Sequence, residues 1–223
     1  MAAVVELVRV SKSYRRGDEL VHALREVSFT LARGEMVALV GPSGCGKSTT
    51  LNLLAGVDRP DAGAVIVDGA DLAIAGEAVL VRARRHTVGI VFQSFHLMPH
   101  LTVEENIALP LALDGGRDAA RVLDLIHRVG LEQRKDHFPA QLSGGEQQRT
   151  AVARALVHRP AVVLADEPTG ALDSTSGAAV LRLMDALRRE EGSALLLATH
   201  DEAIATAADR VIRMRDGAIE AVP

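Results

Sequence analysis

The chain has 223 residues, of which 48% are hydrophobic and 24% charged, and its formal net charge is −4. This composition is typical of a globular protein with one large domain, and the acidic balance argues against nucleic acid or an anionic membrane as an overall partner. The single cysteine, Cys45, excludes an internal disulfide, and no run of 18 or more apolar residues is present to span a bilayer.

The first 31 residues predict a β-hairpin, because the apolar residues of VVELVRV and VHALREVSFTL alternate on either side of the polar RRGDE. The opening ten residues lack the basic start and long apolar core of a signal peptide, so no leader is expected. The apolar run MVALVG (residues 36–41) predicts a buried parallel strand, and KSTTLNLLAG predicts a helix after it. AVIVDG and VGIVFQ predict two further strands.

From residue 94 to residue 160 the pattern becomes helical, in TVEENIALPLAL, RDAARVLDLIHRVG and the segment after Ser143. Buried strands return in AVVLAD and ALLLAT, a helix is predicted in SGAAVLRLMDALRRE between them, and RVIRMRDGAIE predicts a final hairpin-like pair. Strands that alternate with helices predict an α/β core with a parallel sheet. We expect one domain over residues 1–223, with a core formed by residues 1–93 and 161–223 and a helical subdomain formed by residues 94–160.

The segment GPSGCGKS matches the pattern G-x-x-x-x-G-K-[ST] between a predicted strand and a predicted helix. In such a loop the backbone N–H groups turn inward and the helix N-terminus adds positive charge, which binds phosphate. Lys47 is expected to reach the β- and γ-phosphates, and the Ser48 hydroxyl is expected to bind Mg²⁺. A glycine-rich turn without a ligand is the alternative. The residues predicted to contact the nucleotide here are Gly41, Ser43, Gly44, Cys45, Gly46, Lys47, Ser48 and Thr49.

The segment VVLADEP supplies two adjacent carboxylates after a buried strand. Asp166 ends the strand, where a lone charge is costly without a partner, and it is expected to bind Mg²⁺ through water. Glu167 is expected to point the other way if the strand continues, and to accept a proton from the attacking water. Without the phosphate loop, a solvated acidic pair at a strand end would be the preferred interpretation.

Three more polar residues follow or lie near predicted strands: Gln93 after VGIVF, His200 after ALLLAT, and Asp173 in GALDS. Because the carboxyl ends of parallel strands meet at one edge, we expect Gln93 to bind Mg²⁺ and His200 to donate to the γ-phosphate. A histidine at a strand end is more often a capping or structural residue, so the position alone does not establish this role.

Tyr14, the only tyrosine, lies in a short basic and polar stretch before the second predicted strand. Its ring could stack on adenine through its face, without use of the hydroxyl. An edge-strand tyrosine that is half in water is an equally good interpretation of the residue by itself.

In order and over nearly the whole length, these motifs resemble those of the ATP-binding subunit of ABC transporters. The resemblance makes Tyr14 the adenine-stacking residue, GPSGCGKST the Walker A loop, and Gln93 the Q-loop. It makes LSGGEQQR the signature, VVLADE the Walker B strand, ALD with Asp173 the D-loop, and His200 the switch histidine. It implies an α/β fold: a P-loop NTPase (RecA-like) core with an N-terminal antiparallel β-subdomain and an inserted α-helical subdomain, which binds ATP and Mg²⁺.

Longer segments, among them IVFQSFHLMPHLTVEENIALPL and DEPTGALDSTSG, are similar to the lipoprotein-release and macrolide-export branch of that family. In that branch two ATPase subunits lie under membrane subunits with large extracytoplasmic domains and transmit motion across the membrane. The resemblance therefore implies a place at the cytoplasmic face of the cell membrane. It does not identify the cargo, and it leaves export and transmission of motion as alternatives.

Ser143 and Glu146 match the capping-box pattern S-x-x-E, and Gly144 and Gly145 leave the helix N-terminus bare. This helix start is therefore a second candidate anion site. Because the chain has one phosphate loop, the resemblance implies that the signature closes on the ATP of a second copy of the chain. A plain helix start is the alternative.

The segment SFHLMPHLTVEEN contains four apolar residues that we expect to be exposed: Phe95, Leu97, Met98 and Leu101. Such a loop, from about Gln93 to Asn106, suggests a docking surface for a short helix of a membrane permease subunit. Burial of these residues beneath the helical subdomain is the alternative.

Two other functions remain open: a soluble ABC ATPase in a non-transport process, and a regulatory scaffold that binds ATP. The chain has no long coiled-coil insertion and no second cassette, which argues against the first, and it retains Glu167 and His200, which argues against the second. Nothing in the charge pattern indicates a nucleic-acid partner. The absence of N-K-x-D argues against a GTPase.

Overall fold

The computed structural model describes residues 3–17 and 19–220. The strands are β1 (Ala3–Arg16), β2 (Glu19–Ala32), β3 (Met36–Val40), β4 (Ala62–Val67), β5 (Ala70–Asp71), β6 (Val88–Phe92), β7 (Val162–Asp166), β8 (Ala194–Thr199), β9 (Arg210–Arg215) and β10 (Ala218–Ile219). The helices are α1 (Lys47–Leu54), α2 (Glu77–Arg82), α3 (Val103–Leu113), α4 (Ala119–Arg128), α5 (Gly144–Leu156), α6 (Ser174–Glu191) and α7 (Glu202–Ala205).

A six-stranded sheet with the order β10-β9-β3-β8-β7-β6 forms the centre of the fold. Strands β9, β3, β8, β7 and β6 are parallel, and β10 pairs antiparallel with β9. Every residue of β3 and β8 is buried, as the continuous apolar runs predict for strands covered on both faces. The predicted α/β core is confirmed, and the carboxyl ends of β6, β7, β3 and β8 lie along one edge of the sheet.

A second, antiparallel sheet has the order β2-β1-β4-β5. The β1–β2 pair is the predicted hairpin, with Tyr14 opposite Val21. Apolar residues of this sheet share one core with the central sheet and with α1, which lies between the two sheets. The core includes Leu7 and Leu31 of the antiparallel sheet, Leu54 of α1, and Leu39, Leu164 and Leu196 of the central sheet.

Helices α3, α4 and α5 follow β6 and precede β7 in the chain. Helix α3 begins at a capping box formed by Thr102 and Glu105, and α5 begins at another formed by Ser143 and Glu146. A second core joins these helices to the other face of the central sheet and includes Ile107, Leu125, Val152, Val91 and Val163.

The sequence patterns predict no element for residues 70–87, where the structure has β5, α2 and a π-helical turn (Ala83–Thr87). Strand β5 has only two residues, which is too short for an alternation to be visible. Helix α2 has six residues, and the residue before it, Gly76, has no side chain to cap the helix. Its sequence therefore carries no capping signal.

Candidate functional site

The predicted phosphate loop connects β3 to α1, and its glycines are required by the backbone. Gly46 has φ of +109°, and a Cβ at this position would meet the Ala23 carbonyl oxygen at 2.5 Å. A Cβ on Gly41 would meet the Met214 carbonyl oxygen at 2.2 Å. Cys45 is buried with its side chain in the core, so that only its backbone is part of the loop.

The Lys47 side chain is buried against its own loop. Its Nζ donates to the carbonyl oxygens of Gly41 at 2.7 Å and Pro42 at 3.2 Å. The ammonium is therefore held at the opening of the loop by two neutral acceptors and by no carboxylate within salt-bridge distance among the described residues. A ligand with negative charge would bind it more strongly than these carbonyls do.

A cavity of about 640 Å³ opens at the edge of the central sheet where the strands end. Its lining includes ten of the predicted site residues: Ser43, Gly44, Gly46, Lys47, Ser48, Thr49, Gln93, Asp166, Glu167 and His200. The strand order thus brings together residues that are more than 150 positions apart in the sequence, as expected for open α/β sheets.

Asp166, the last residue of β7, is half-buried and faces the phosphate loop. The pKa of its carboxyl is raised above the ordinary value, mainly by burial and also by the charge of Glu167. A hydrogen bond from Ser48 and the charge of Lys47 oppose this rise. Asp166 and Ser48 line the cavity together with Gln93, and hydroxyl, amide and carboxylate oxygens are suitable ligands for Mg²⁺. The residues present therefore fit a magnesium site.

Glu167 does not extend the strand, so the condition for the expected direction of its side chain is not met. Strand β7 ends at Asp166, and Glu167 has φ of +46°, with its N–H donating to the Ala198 carbonyl at 2.9 Å. The Glu167 carboxylate is 2.9 Å from Nδ1 of His200, which is itself exposed. A positive φ in a non-glycine residue is strained, and it turns this carboxylate toward the histidine.

Gln93, directly after β6, lies between the phosphate loop and the turn that follows β7. A Cβ on Gly170 would meet the Gln93 amide nitrogen at 2.7 Å, so the glycine makes room for this side chain. The sequence patterns did not indicate Gly170. Its place in DEPTG, soon after the two carboxylates, was the only available signal.

Two residues of α5 that were missed connect this helix to the edge of the sheet. The buried Gln148 amide donates to the Pro168 carbonyl at 2.6 Å and to the Phe92 carbonyl at 3.4 Å. The Arg154 guanidinium donates to the carbonyls of Phe95 and His96, and burial lowers the pKa of Arg154. The sequence signal for these two residues was the presence of long polar side chains among the apolar residues of this helix, in the segment EQQRTAVAR.

The signature residues occupy a different surface of the chain. Ser143 N–H donates to Glu146 at 2.8 Å, the Glu146 N–H donates to the Ser143 hydroxyl at 3.3 Å, and Arg134 holds the other carboxylate oxygen at 3.1 Å. The described residues that line the cavity at the phosphate loop do not include Ser143, Gly144 or Gly145. The bare helix start therefore lies outside the chain's own phosphate site.

Asp173, which the resemblance places in the D-loop, caps α6 and is not part of the described lining of the cavity at the phosphate loop. Its carboxylate accepts from the N–H groups of Thr175 and Ser176, both at 3.0 Å. A hydrogen bond from the Ser176 side chain, together with these N–H groups, lowers the pKa of Asp173. Its helix-capping role accounts for the contacts seen within one chain.

Tyr14 lies inside β1, two residues before its end. Its ring is 38% exposed, and its hydroxyl donates to the Asp58 carboxylate at 2.8 Å. Burial raises the pKa of the Tyr14 hydroxyl, and an interaction with the side chain of Thr49, which lines the cavity, partly offsets this rise. Tyr14 is therefore next to the phosphate site.

A groove of about 420 Å³ lies between the π-helical turn, α3 and the end of α5. Its lining includes Arg84, Arg85, Phe92, His96, Met98, Leu109, Leu113, Arg154 and His158. Of the four apolar residues expected to be exposed, only Met98 is exposed, at 43%, and it lines the groove. Phe95, Leu97 and Leu101 are half-buried, because the loop folds back against α3 and α5.

The family described as ABC transporter matches residues 24–170 of the chain. The macrolide export ATP-binding/permease protein MacB of Shigella flexneri is 46% identical over 222 residues, which cover 98% of this chain and 34% of that protein. MacB of Escherichia coli (strain K12) is 45% identical over the same shares of the two chains. The chain spans about a third of the length of the curated relatives it matches.

Two solved structures have the same fold. The ATP-binding cassette MJ0796, solved as a dimer in a post-hydrolysis state bound to ADP and Pi, has a TM-score of 0.89 and 40% identity, with 97% of each chain covered. The protein cbiO1 from Clostridium perfringens, part of the ABC transporter complex cbiONQ, has a TM-score of 0.87 and 28% identity, with 98% of this chain and 87% of that chain covered. Among the described residues, no helix has the length and apolar character needed to cross a membrane.

Proposed function

Because the chain belongs to the ABC transporter family, we propose that it is an ATP-binding and ATP-hydrolysing subunit that works as a dimer beneath membrane partner subunits. The observation that carries the proposal is the single cavity that contains the phosphate loop, Asp166, Glu167 and His200. ATP hydrolysis requires a cation near the phosphates, ligands for the metal ion and a general base. Here all three line the same cavity.

In this proposal the loop N–H groups and the N-terminus of α1 bind the β- and γ-phosphates. Lys47 exchanges its two carbonyl acceptors for phosphate oxygens. Ser48, Gln93 and Asp166 hold Mg²⁺, which when bound neutralises negative charge on the phosphate oxygens. These residues position the γ-phosphate in front of Glu167.

Glu167 is the general base, which accepts the proton of the attacking water. His200 donates to this carboxylate at 2.9 Å and so sets its direction. The imidazole lines the same cavity as the phosphate loop, and we assign it also to the γ-phosphate as a donor. The two residues therefore act as one unit.

The dimer follows from the position of the signature. Ser143, which is exposed, and the half-buried Gly144 and Gly145 form a helix N-terminus that lies outside the described lining of the chain's own phosphate cavity. We assign them, with Asp173, to the nucleotide held by the second copy. The dimeric form of MJ0796, a relative with 97% coverage, supports this assignment.

The groove beside Met98 is assigned to a membrane permease subunit at the cytoplasmic face of the cell membrane. The names of the relatives, which join an ATP-binding part to a permease part and refer to macrolide export, support such a partner and favour export. Transmission of motion across the membrane stays the alternative. No nucleic-acid partner is proposed. The second candidate is a soluble ABC ATPase that functions in a process other than transport. A groove to which no permease subunit binds in the cell would favour this candidate.

Purified chain incubated with Mg²⁺ and ATP is expected to release phosphate, and Lys47→Ala is expected to lower the rate at least about tenfold through loss of a charge-assisted phosphate contact. Phosphate release and nucleotide binding are measured in parallel. A regulatory scaffold would bind ATP without release of phosphate, and that result would refute the proposed activity.

Charge introduced into the groove is expected to separate ATP hydrolysis from partner binding. Met98→Glu combined with Leu113→Glu changes two exposed groove residues and is expected to abolish co-purification with a co-expressed membrane permease subunit. ATP hydrolysis by the purified chain should stay within about twofold.

The matched control changes two exposed apolar residues outside the groove, Val57→Glu with Ile74→Glu, and is expected to leave co-purification unchanged. Equal loss of co-purification in both pairs, or in neither, would exclude the groove as the docking surface.

A further inference from the structure

The Tyr14 hydroxyl is held by a residue of another segment. It donates to one carboxylate oxygen of Asp58 at 2.8 Å, and it lies near the side chain of Thr49, in the first turn of α1. Burial and the hydrogen bond to Asp58 both raise the pKa of this hydroxyl, so it carries its proton at neutral pH and acts as the donor.

Asp58 is itself fixed on its other side. Its second carboxylate oxygen accepts from Lys12 Nζ at 2.8 Å and from the N–H of Arg59 at 2.7 Å. Burial raises the pKa of Asp58, but the hydrogen bonds from Lys12, Tyr14 and Arg59 outweigh this and hold the pKa below its ordinary value. The carboxylate is therefore charged and fully engaged, and its position is set by β1 and by its own loop.

Lys12 has a second contact with this group, because its Nζ lies over the Tyr14 ring, 5.2 Å from the centroid. One face of the ring is therefore covered by a cation. Tyr14 as a whole is 38% exposed, and it lies next to Thr49 of the phosphate loop. The other face of the ring is the one left for a base.

We propose that Asp58, held by Lys12, is a positioning residue that fixes the Tyr14 ring at a set distance from the phosphate loop, so that an adenine base and its triphosphate fit their two sites together. The inference rests on the proposed function and extends it to residues outside the motifs. A ring that is already oriented loses less rotamer freedom when the base binds, which favours affinity without any new contact to the nucleotide.

The hydroxyl thus has a part in nucleotide binding that the sequence did not indicate. Asp58→Ala is expected to weaken ATP binding about three- to tenfold, the scale of one net hydrogen bond. Binding of inorganic tripolyphosphate, which has no base, should stay within about twofold of the parent. Both affinities are measured by calorimetry with Mg²⁺ in a Glu167→Gln background.

Two substitutions separate positioning from a general effect on the fold. Asp58→Asn keeps one oxygen that can accept from Tyr14 but loses the charged oxygen that Lys12 and Arg59 hold, so its ATP affinity is expected to lie between those of the parent and Asp58→Ala. Asp68→Ala removes another surface carboxylate, one that pairs with Arg33, and is expected to change neither affinity. Equal weakening of ATP and tripolyphosphate by Asp58→Ala would overturn the inference.

A double-mutant cycle tests the route through the hydroxyl. Tyr14→Phe is expected to weaken ATP binding as much as Asp58→Ala does, and the double variant should be no weaker than either single one. Losses that add in full would contradict the inference. Tyr14→Ala is expected to weaken ATP binding roughly five- to 150-fold, the scale of base stacking.

The Tyr14→Ala result also separates two failures. Unchanged ATP affinity in that variant would remove Tyr14 from the adenine-stacking role that the family resemblance implies, and would leave the proposed ATPase function untouched. Weakened affinity in Tyr14→Ala together with unchanged affinity in Asp58→Ala would refute the positioning role alone.

Discussion

Glu167→Gln is expected to bind ATP like the parent chain and to hydrolyse it at least about 100-fold more slowly, since a positioned general base contributes about 10²–10⁴ in rate. The amide keeps the size of the side chain and an oxygen that accepts from His200 at the present 2.9 Å contact. It cannot take the proton of the attacking water. Phosphate release at saturating ATP, with binding measured in parallel, gives the result.

The control for this variant is Glu190→Gln, which neutralises a carboxylate paired with Arg128 on the surface. It is expected to hydrolyse ATP at the parent rate. Turnover by Glu167→Gln within a few-fold of the control would remove Glu167 from the role of base, whereas loss of ATP binding would indicate a structural role for its side-chain contact with His200.

The largest qualitative effect is expected from a fused two-copy chain that carries Glu167→Gln in both halves, so that bound ATP is trapped. One half carries Lys47→Ala and the other carries Gly144→Asp. If each site pairs the Lys47 of one copy with the signature of the other, one site has both defects and the other has neither. The fused chain should then hold one ATP.

The complementary arrangement places both substitutions in the same half. Each composite site then has one defect, and tightly held ATP should fall toward zero. Gly144→Asp acts by setting a negative charge against the γ-phosphate at a helix N-terminus that would otherwise attract it. ATP that remains bound after gel filtration is counted for both arrangements.

The unmutated fused chain, which should hold two ATP, is the control for folding and fusion. The opposite pattern, with ATP retained when both changes share a half and lost when they are split, would mean that each signature serves its own chain. That result would refute the shared site while leaving the roles of Lys47 and Glu167 intact.

The sequence by itself determined the local parts of this protein. The phosphate loop, the helix start at Ser143 and the buried strand before Asp166 are each contained in fewer than ten consecutive residues. Backbone conformation and periodicity are set over such distances by glycine, capping residues and apolar patterns, so the elements and the α/β class could be predicted.

Only the tertiary structure decided which of these parts meet. The hydrogen bond between Glu167 and His200 joins residues 33 positions apart, and that between Tyr14 and Asp58 joins residues 44 positions apart. It also decided that Asp173 caps its own helix and that Phe95 is half-buried while Met98 is exposed. Such contacts depend on strand order, on register and on the turn at Glu167, all of which arise when distant segments pack together, and no pattern within a single segment records them.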